Sequence, residues 1–269
     1  KAVDSLKEEL AILRSSKRSL LVSAGFPEDY LEPIYDCKDC KDTGYIGNKK
    51  CHCFKKAIIK LLYEQSNIKG FPVEASFDNF SLDFYSASIY DKTTGRSARA
   101  MMEDTLRSCH RFIDTFGDEF QNLFFYGSVG VGKTFLSTCI AREIMNREYS
   151  VLYFSAPQLF NALAQTKFDR KDVDAQNMGE YIFNCDLLII DDLGSEYTNS
   201  FIAAQFFTCL NERLLHRKST IISTNLSLES IADLYTERAF SRITSNFILL
   251  KIIGDDIRIK KKLKHMEEH

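Results

Sequence analysis

Apolar residues recur along this chain with two different periods, and the pattern changes character near residue 98. Val3, Leu6, Leu10, Leu13, Leu20 and Leu21 fall at helical spacings, which predicts a helix over 2–23 closed by Gly25 and Pro27. Residues 54–67, FKKAIIKLLYEQSN, predict a second amphipathic helix ending near Gly70 and Pro72. The stretch from Phe71 to Asp91 keeps no period but holds Phe71, Phe77, Phe80, Phe84, Tyr85 and Tyr90. It reads as irregular packing on the main domain, with an adenine pocket near Phe77 to Phe80 as the alternative. From residue 98 short apolar runs alternate with helical segments. A helix is expected over 97–115, and strands near 122–126, 150–154, 186–190, 219–224 and 247–252. That alternation predicts an α/β fold, a parallel sheet covered by helices on both faces. The tail from Ile257, IRIKKKLKHMEEH, is basic and then acidic, and reads as a solvated end, with DNA or partner contact as the alternative.

The chemistry begins where the first strand of this region ends. Gly127, Ser128, Val129, Gly130, Val131, Gly132, Lys133 and Thr134 spell GSVGVGKT, which fits the phosphate-loop pattern at every fixed position. The glycines allow a tight turn whose backbone N–H groups point at phosphate oxygens. Lys133 can reach the outer phosphates, and the Thr134 hydroxyl can ligate magnesium. A short apolar run, NLFFY, precedes the loop, and a helix with Leu136, Ile140 and Ile144 on one face follows it. The helix N-terminus, beginning around Phe135, therefore faces the phosphates with its partial positive charge.

Residues 187–192, LLIIDD, form a buried strand ending in two carboxylates. Asp191 is placed to hold magnesium and Asp192 to orient or deprotonate an attacking water. The strand TIISTN, 220–225, ends in Asn225, whose amide can touch a γ-phosphate. In ERAFSRI, 237–243, Arg238 and Arg242 share one face of a short helix. They read either as arginines offered to a neighbouring subunit's nucleotide or as ion-pair partners of Glu237 and nearby acids.

Eight cysteines add a second chemistry. Cys37, Cys40, Cys51 and Cys53 make a C-x-x-C…C-x-C set around a Gly-bounded turn, with a small hairpin expected near Thr43–Ile46. Four thiolates at that spacing suit a closed, structural zinc site, with His52 as a substitute ligand and two disulfides or bare thiols as alternatives. Cys109, Cys139, Cys185 and Cys209 stand singly in apolar contexts and read as buried small hydrophobes. Scattered single cysteines beside a phosphate loop point to a reducing cytoplasm.

Bulk properties narrow the partners little. The chain has 269 residues and a net charge of −2, so DNA contact would need local basic patches. No apolar run approaches the ~20 residues that span a bilayer, and no signal-peptide core is present at the start. The first residue is Lys, which leaves room for a preceding segment.

The order GSVGVGKT, LLIIDDLG, TIISTN, ERAFSRI resembles the AAA+ ATPases of the bacterial replicative-helicase loaders, the DnaC/DnaI family, and their relatives the IstB transposition helpers. It covers about residues 76–256 and includes the closing IIGDDIRIK. The CKDCKDTGYI…CHC segment is similar to the N-terminal zinc region of Gram-positive loaders and favours a loader over a transposition helper. The resemblance implies a helicase-interacting zinc module over 1–75, an AAA+ ATPase domain over 76–256 without a C-terminal lid, and a tail over 257–269. It implies ATP and ADP with magnesium as ligands, self-association through the ATP site, the replicative DNA helicase and single-stranded DNA as partners, and no membrane. Arg242 takes the place of the trans arginine finger, with Arg238 beside it, Asn225 that of the first sensor and Asp192 that of the catalytic acid. Asp192 stands where many relatives have Glu, which implies slow turnover, with Glu196 as a compensating carboxylate. An extra helix over 155–171 is implied to meet DNA through Lys167, Phe168, Arg170 and Lys171; on the residues alone it reads as an ordinary amphipathic helix.

Overall fold

The computed structural model describes residues 2–54, 57, 75–168 and 173–267, and the chain divides into two compact units, Lys1–Phe54 and Lys55–His269. The expected helix over 54–67 lies outside the described residues apart from Phe54 and Ala57, as does Phe71.

In the first unit, helix α1 spans Ala2–Ser23. It ends where Gly25 turns to φ 81°, its N–H donating to the Val22 carbonyl at 3.0 Å. This is the glycine stop that the sequence pattern predicts. Leu6, Leu10, Leu13 and Leu20 are all exposed, so the apolar stripe of α1 is not covered within this unit. Strands β1 (Tyr45–Ile46) and β2 (Lys49–Lys50) pair antiparallel as a minimal hairpin, and beside it Cys37, Cys40 and Cys51 form a buried cluster with Cys53 against it.

The second unit is a five-stranded, wholly parallel sheet. In chain order it contains α2 (Ala98–Asp114), β3 (Leu123–Gly127), α3 (Lys133–Asn146), β4 (Val151–Ser155), α4 (Ala156–Phe168), α5 (Val173–Asn184), β5 (Leu187–Leu193), α6 (Ser200–Leu215), β6 (Ser219–Thr224), α7 (Leu228–Tyr235), α8 (Glu237–Asn246), β7 (Ile248–Ile252) and α9 (Ile257–Glu267). The strands lie in the order β4-β5-β6-β3-β7. Successive strand residues point to opposite faces, and both faces are dry. Leu123, Phe125, Leu187, Ile189 and Ile221 join one core with α2 and α3, while Phe124, Leu188, Ile190 and Ile222 join another with α4 to α8. The predicted strands are all present, displaced by a residue or so, and β5 runs on to Leu193.

The helix expected over 155–171 is α4 from Ala156 to Phe168, with Arg170 and Lys171 outside the described residues and α5 beginning at Val173. Helix α6 buries Phe206, Cys209, Leu210 and also Arg213, whose side chain is fully inaccessible. The Arg213 guanidinium donates to the carbonyls of Ile182 at 2.7 Å, Cys185 at 3.1 Å and Ser219 at 2.6 Å, and to Thr220 Oγ1 at 3.0 Å. It answers the unpaired carbonyls at the C-terminus of α5 and ties them to the start of β6. No helix among the described residues is long and apolar enough to cross a membrane.

Candidate nucleotide site and metal centre

Strand β3 leaves the sheet between β6 and β7, the two strands to which the chain returns last. At such a reversal of strand order a crevice opens beyond the C-terminal strand ends. The loop Gly127–Gly132 fills it. Gly127 has φ 141°, and a Cβ there would run into the Ile252 carbonyl of β7. Gly132 has φ 99° and sits at the N-cap of α3 without a side-chain cap bond; a Cβ on it would come 2.7 Å from the Tyr85 hydroxyl. The first turn of α3 is therefore free of a side-chain cap, which is the arrangement that accommodates an anion.

Lys133 is 6% exposed, and its ammonium donates to the Gly127 and Ser128 carbonyls at 2.7 and 2.6 Å and to Asn225 Oδ1 at 2.7 Å. Burial lowers its pKa to about 8, against the opposing pull of Asp192 and Asp191. The Thr134 hydroxyl donates to Asp191 Oδ1 at 3.1 Å, and the Ser223 hydroxyl makes a short bond to the same oxygen. Between Ile190 and Leu193 the register of β5 slips by one residue against β6, and Asp192 takes φ 58°. This bulge presents both carboxylates at the same strand end. Asp192 accepts from Asn225 Nδ2 at 2.6 Å, and its own N–H donates to Ser223 Oγ at 2.9 Å. Burial, and then the neighbouring Asp191, raise the Asp192 pKa.

Lys133, Thr134, Phe135, Asp191, Asp192 and Asn225 all line one cavity of about 470 Å³, together with Val129, Gly130 and Gly132. Ser128 and Val131 belong to the loop through its backbone; the Val131 carbonyl accepts from Tyr85 at 2.8 Å. The donor set suits a triphosphate with magnesium: a cation and an uncapped helix start for the phosphates, a hydroxyl and a carboxylate for the metal.

Two parts of the chain enter this cavity against expectation. Asn79, Phe80, Ser81 and Phe84 line it, so the aromatic stretch read chiefly as packing forms a wall of the site. Phe80 lies 5.8 Å from Tyr85, near parallel, and 6.1 Å from Phe135. The tail read as a solvated end is helix α9, and its first turns bring Ile257, Arg258 and Lys261 to the same cavity. The Ile257 N–H donates to the Gly130 carbonyl at 3.0 Å, and Arg258 is held by Asp256 at 2.7 Å. A basic run looks the same in sequence whether it is solvated or docked.

Other expected residues fall elsewhere. Arg238 and Arg242 are exposed on α8 and line a separate groove with Phe207, Glu237 and Ser241; neither makes an ion pair among the described residues. Glu196 is not among the residues lining the cavity; its oxygens accept from the Tyr235 hydroxyl and the Gly194 N–H. Of the DNA candidates, Lys167 and Phe168 end α4, while Arg170 and Lys171 lie outside the described residues.

In the first unit the sulfurs of Cys37, Cys40, Cys51 and Cys53 all lie within 4.8 Å of one another. Cys37 and Cys51 are 3.7 Å apart and Cys40 and Cys53 3.3 Å, near the ~3.8 Å edge of a tetrahedron with ~2.3 Å zinc–sulfur bonds. All eight cysteines are free. Asp42 accepts the Cys37 N–H at 2.8 Å and so shapes the first knuckle. His52 flanks the cluster, largely exposed, 3.4 Å from Asp39. The four remaining cysteines are buried, and burial raises Cys139 and Cys209 to about 12.

A phosphate loop at the strand reversal, a carboxylate strand beside it and a polar residue ending β6 define an AAA+ nucleotide-binding protein. Within that class the chain belongs to the family of IstB-like ATP binding proteins, whose model matches residues 71–265. It is 29% identical over 117 residues to the replicative helicase loader DnaI of Bacillus subtilis, covering 43% of this chain and 37% of that one. Over 241 residues it is 25% identical to the phage-like element PBSX protein XkdC of Bacillus subtilis, covering 84% and 85%. A crystal structure of the DnaC helicase loader superposes with a TM-score of 0.52 at 25% identity, covering 65% of this chain and 97% of that one. The chain spans between 28% and 57% of the lengths of the first curated initiators and loaders it matches.

Proposed function

We propose that this protein is a cytoplasmic ATPase that loads a replicative DNA helicase onto single-stranded DNA. The observation that carries the reading is the meeting of Lys133, Asp191, Asp192 and Asn225 at one cavity, in a chain whose relatives include named helicase loaders. Lys133 and the start of α3 would bind the phosphates of ATP or ADP, while Phe80 and Phe135 flank the nucleoside end. Thr134 and Asp191 would hold magnesium, which when bound neutralises charge on the transferred phosphoryl group. Asp192, its pKa raised by burial, accepts a proton from the attacking water, and Asn225 keeps that carboxylate aimed. An Asp is one methylene shorter than Glu, and turnover is slow for that reason. Arg258 brings a second cation from the same subunit.

Arg242, with Arg238 beside it, serves the nucleotide of an adjoining copy, so hydrolysis depends on self-association. The first unit, with zinc on Cys37, Cys40, Cys51 and Cys53, grips the helicase; metal analysis should return one zinc per chain, lost in Cys40→Ser. Lys167, Phe168, Arg170 and Lys171 meet the DNA strand. The test is retention of the host's replicative helicase by the purified protein, with and without ATP; retention in neither condition overturns the loader reading. Phosphate release that vanishes in Lys133→Ala and Arg242→Ala supports the ATPase and its shared site. The matching family's IstB-like description favours a second reading, a transposition helper that binds DNA and recruits a transposase. Retention of a transposase in place of the helicase would establish that one.

A further inference from the structure

At the corner between α7 and α8 the Tyr235 hydroxyl is tied to Glu196 in the loop after β5, and neither partner lines the nucleotide cavity. Tyr235 ends α7 with no exposed surface, and its hydroxyl makes a short bond to Glu196 Oε1. The other Glu196 oxygen accepts the Gly194 N–H at 3.0 Å, so the carboxylate is fixed from two sides. Burial, reinforced by the Glu196 carboxylate, holds the Tyr235 phenol well above the usual range and keeps it a donor. The next residue, Thr236, has φ 83° and ψ 148°. Glycine occupies that region readily; a β-branched residue stays there only where its surroundings compel it. Thr236 also caps α8, its Oγ1 accepting the Ala239 N–H at 3.5 Å. Helix α8 buries Ala239 and Ile243 and leaves Arg238 and Arg242 exposed. The direction of the arginines is thus set by a strained corner, pinned one residue upstream.

We propose that the Glu196–Tyr235 hydrogen bond is a positioning contact that aims α8 at the nucleotide of an adjoining copy. The proposal rests on the shared-site reading above. Glu196 acts through Tyr235 and touches no substrate. Because the loop that carries Glu196 continues directly from β5 with Asp191 and Asp192, it joins each copy's own carboxylates to the arginines that copy lends.

A mixing experiment separates the two ideas. Lys133→Ala protein can lend arginines but holds no nucleotide; Arg242→Ala protein holds nucleotide but lends no finger. Their mixture should release phosphate from Mg-ATP well above either alone. No recovery would defeat the shared site, and this proposal with it. Given recovery, Tyr235→Phe is placed in one partner at a time. In the arginine lender it should cut recovery at least fivefold; in the nucleotide holder the change should stay within twofold. Glu196→Gln should repeat the asymmetry, guarding against a folding defect peculiar to Tyr235→Phe. Equal losses in both positions, or none in either, would overturn the positioning role while leaving the shared site intact.

Discussion

Lys133 and Arg213 are both buried cations held by backbone carbonyls, and they sit at opposite edges of one sheet. Arg213, at the edge where the strands begin, is fully inaccessible and spends its donors on the end of α5, the start of β6 and Thr220. Lys133, at the edge where strands end, holds two loop carbonyls and Asn225, and faces a cavity with two carboxylates. Burial among carbonyls is common to both and identifies neither. What separates them is access: one charge answers only the fold, while the other lines a space large enough for a ligand and has its proton loosened by burial.

The contrast can be broken most directly at Arg213. Arg213→Met leaves several buried carbonyls without donors, each worth about 1–3 kcal/mol, and should lower unfolding free energy by about 4 kcal/mol in a urea titration. Nucleotide affinity below the transition should change less than about twofold. Lys133→Ala should do the opposite. Mg-ATP binding by calorimetry should weaken at least ~100-fold, about 2.7 kcal/mol, while unfolding free energy moves by less than ~1 kcal/mol. A loss of stability in Lys133→Ala equal to that in Arg213→Met would erase the distinction.

A pH series sharpens it. With Lys133 at about 8 in the folded chain against an ordinary 10.5, the unfolded chain holds the extra proton between those values. Stability contributed by this group therefore rises with pH across that window, as the buried charge is relieved. Affinity for nucleotide runs the other way, falling by up to about tenfold per unit once the cation is lost. An affinity flat from pH 7 to 10 would show that Lys133 keeps its proton. The smallest effect is expected at Tyr85→Phe. It removes one hydrogen bond to the loop that is present without nucleotide, so unfolding free energy should fall by about 1 kcal/mol and nucleotide binding should weaken by less than about fivefold.

What could be read in advance followed from local order. The loop residues, the two aspartates and Asn225 announce themselves because each lies within a few positions of an apolar strand end. The four cysteines do so through their spacing alone. The walls of the site were harder to see. Phe80 and Tyr85 lie in a segment without a period, so nothing in it tells a stacked wall from simple packing. Arg258 belongs to a basic run whose docking depends on Asp256 and Gly130, far apart in sequence. Arg213 left a faint trace: it occupies the same helical face as Phe206, Cys209 and Leu210, where a solvated arginine would be out of place.

The strand order has a bearing on biogenesis. The glycine turn is complete early in synthesis, yet the strand that launches it is flanked by β6 and β7, which leave the ribosome last. Until Ile252 emerges, Gly127 has no carbonyl at its back and β3 is a bare edge on one side. A nascent chain therefore carries the sequence of a nucleotide site long before it can hold one, because the strand that backs the glycine turn is made more than a hundred residues later.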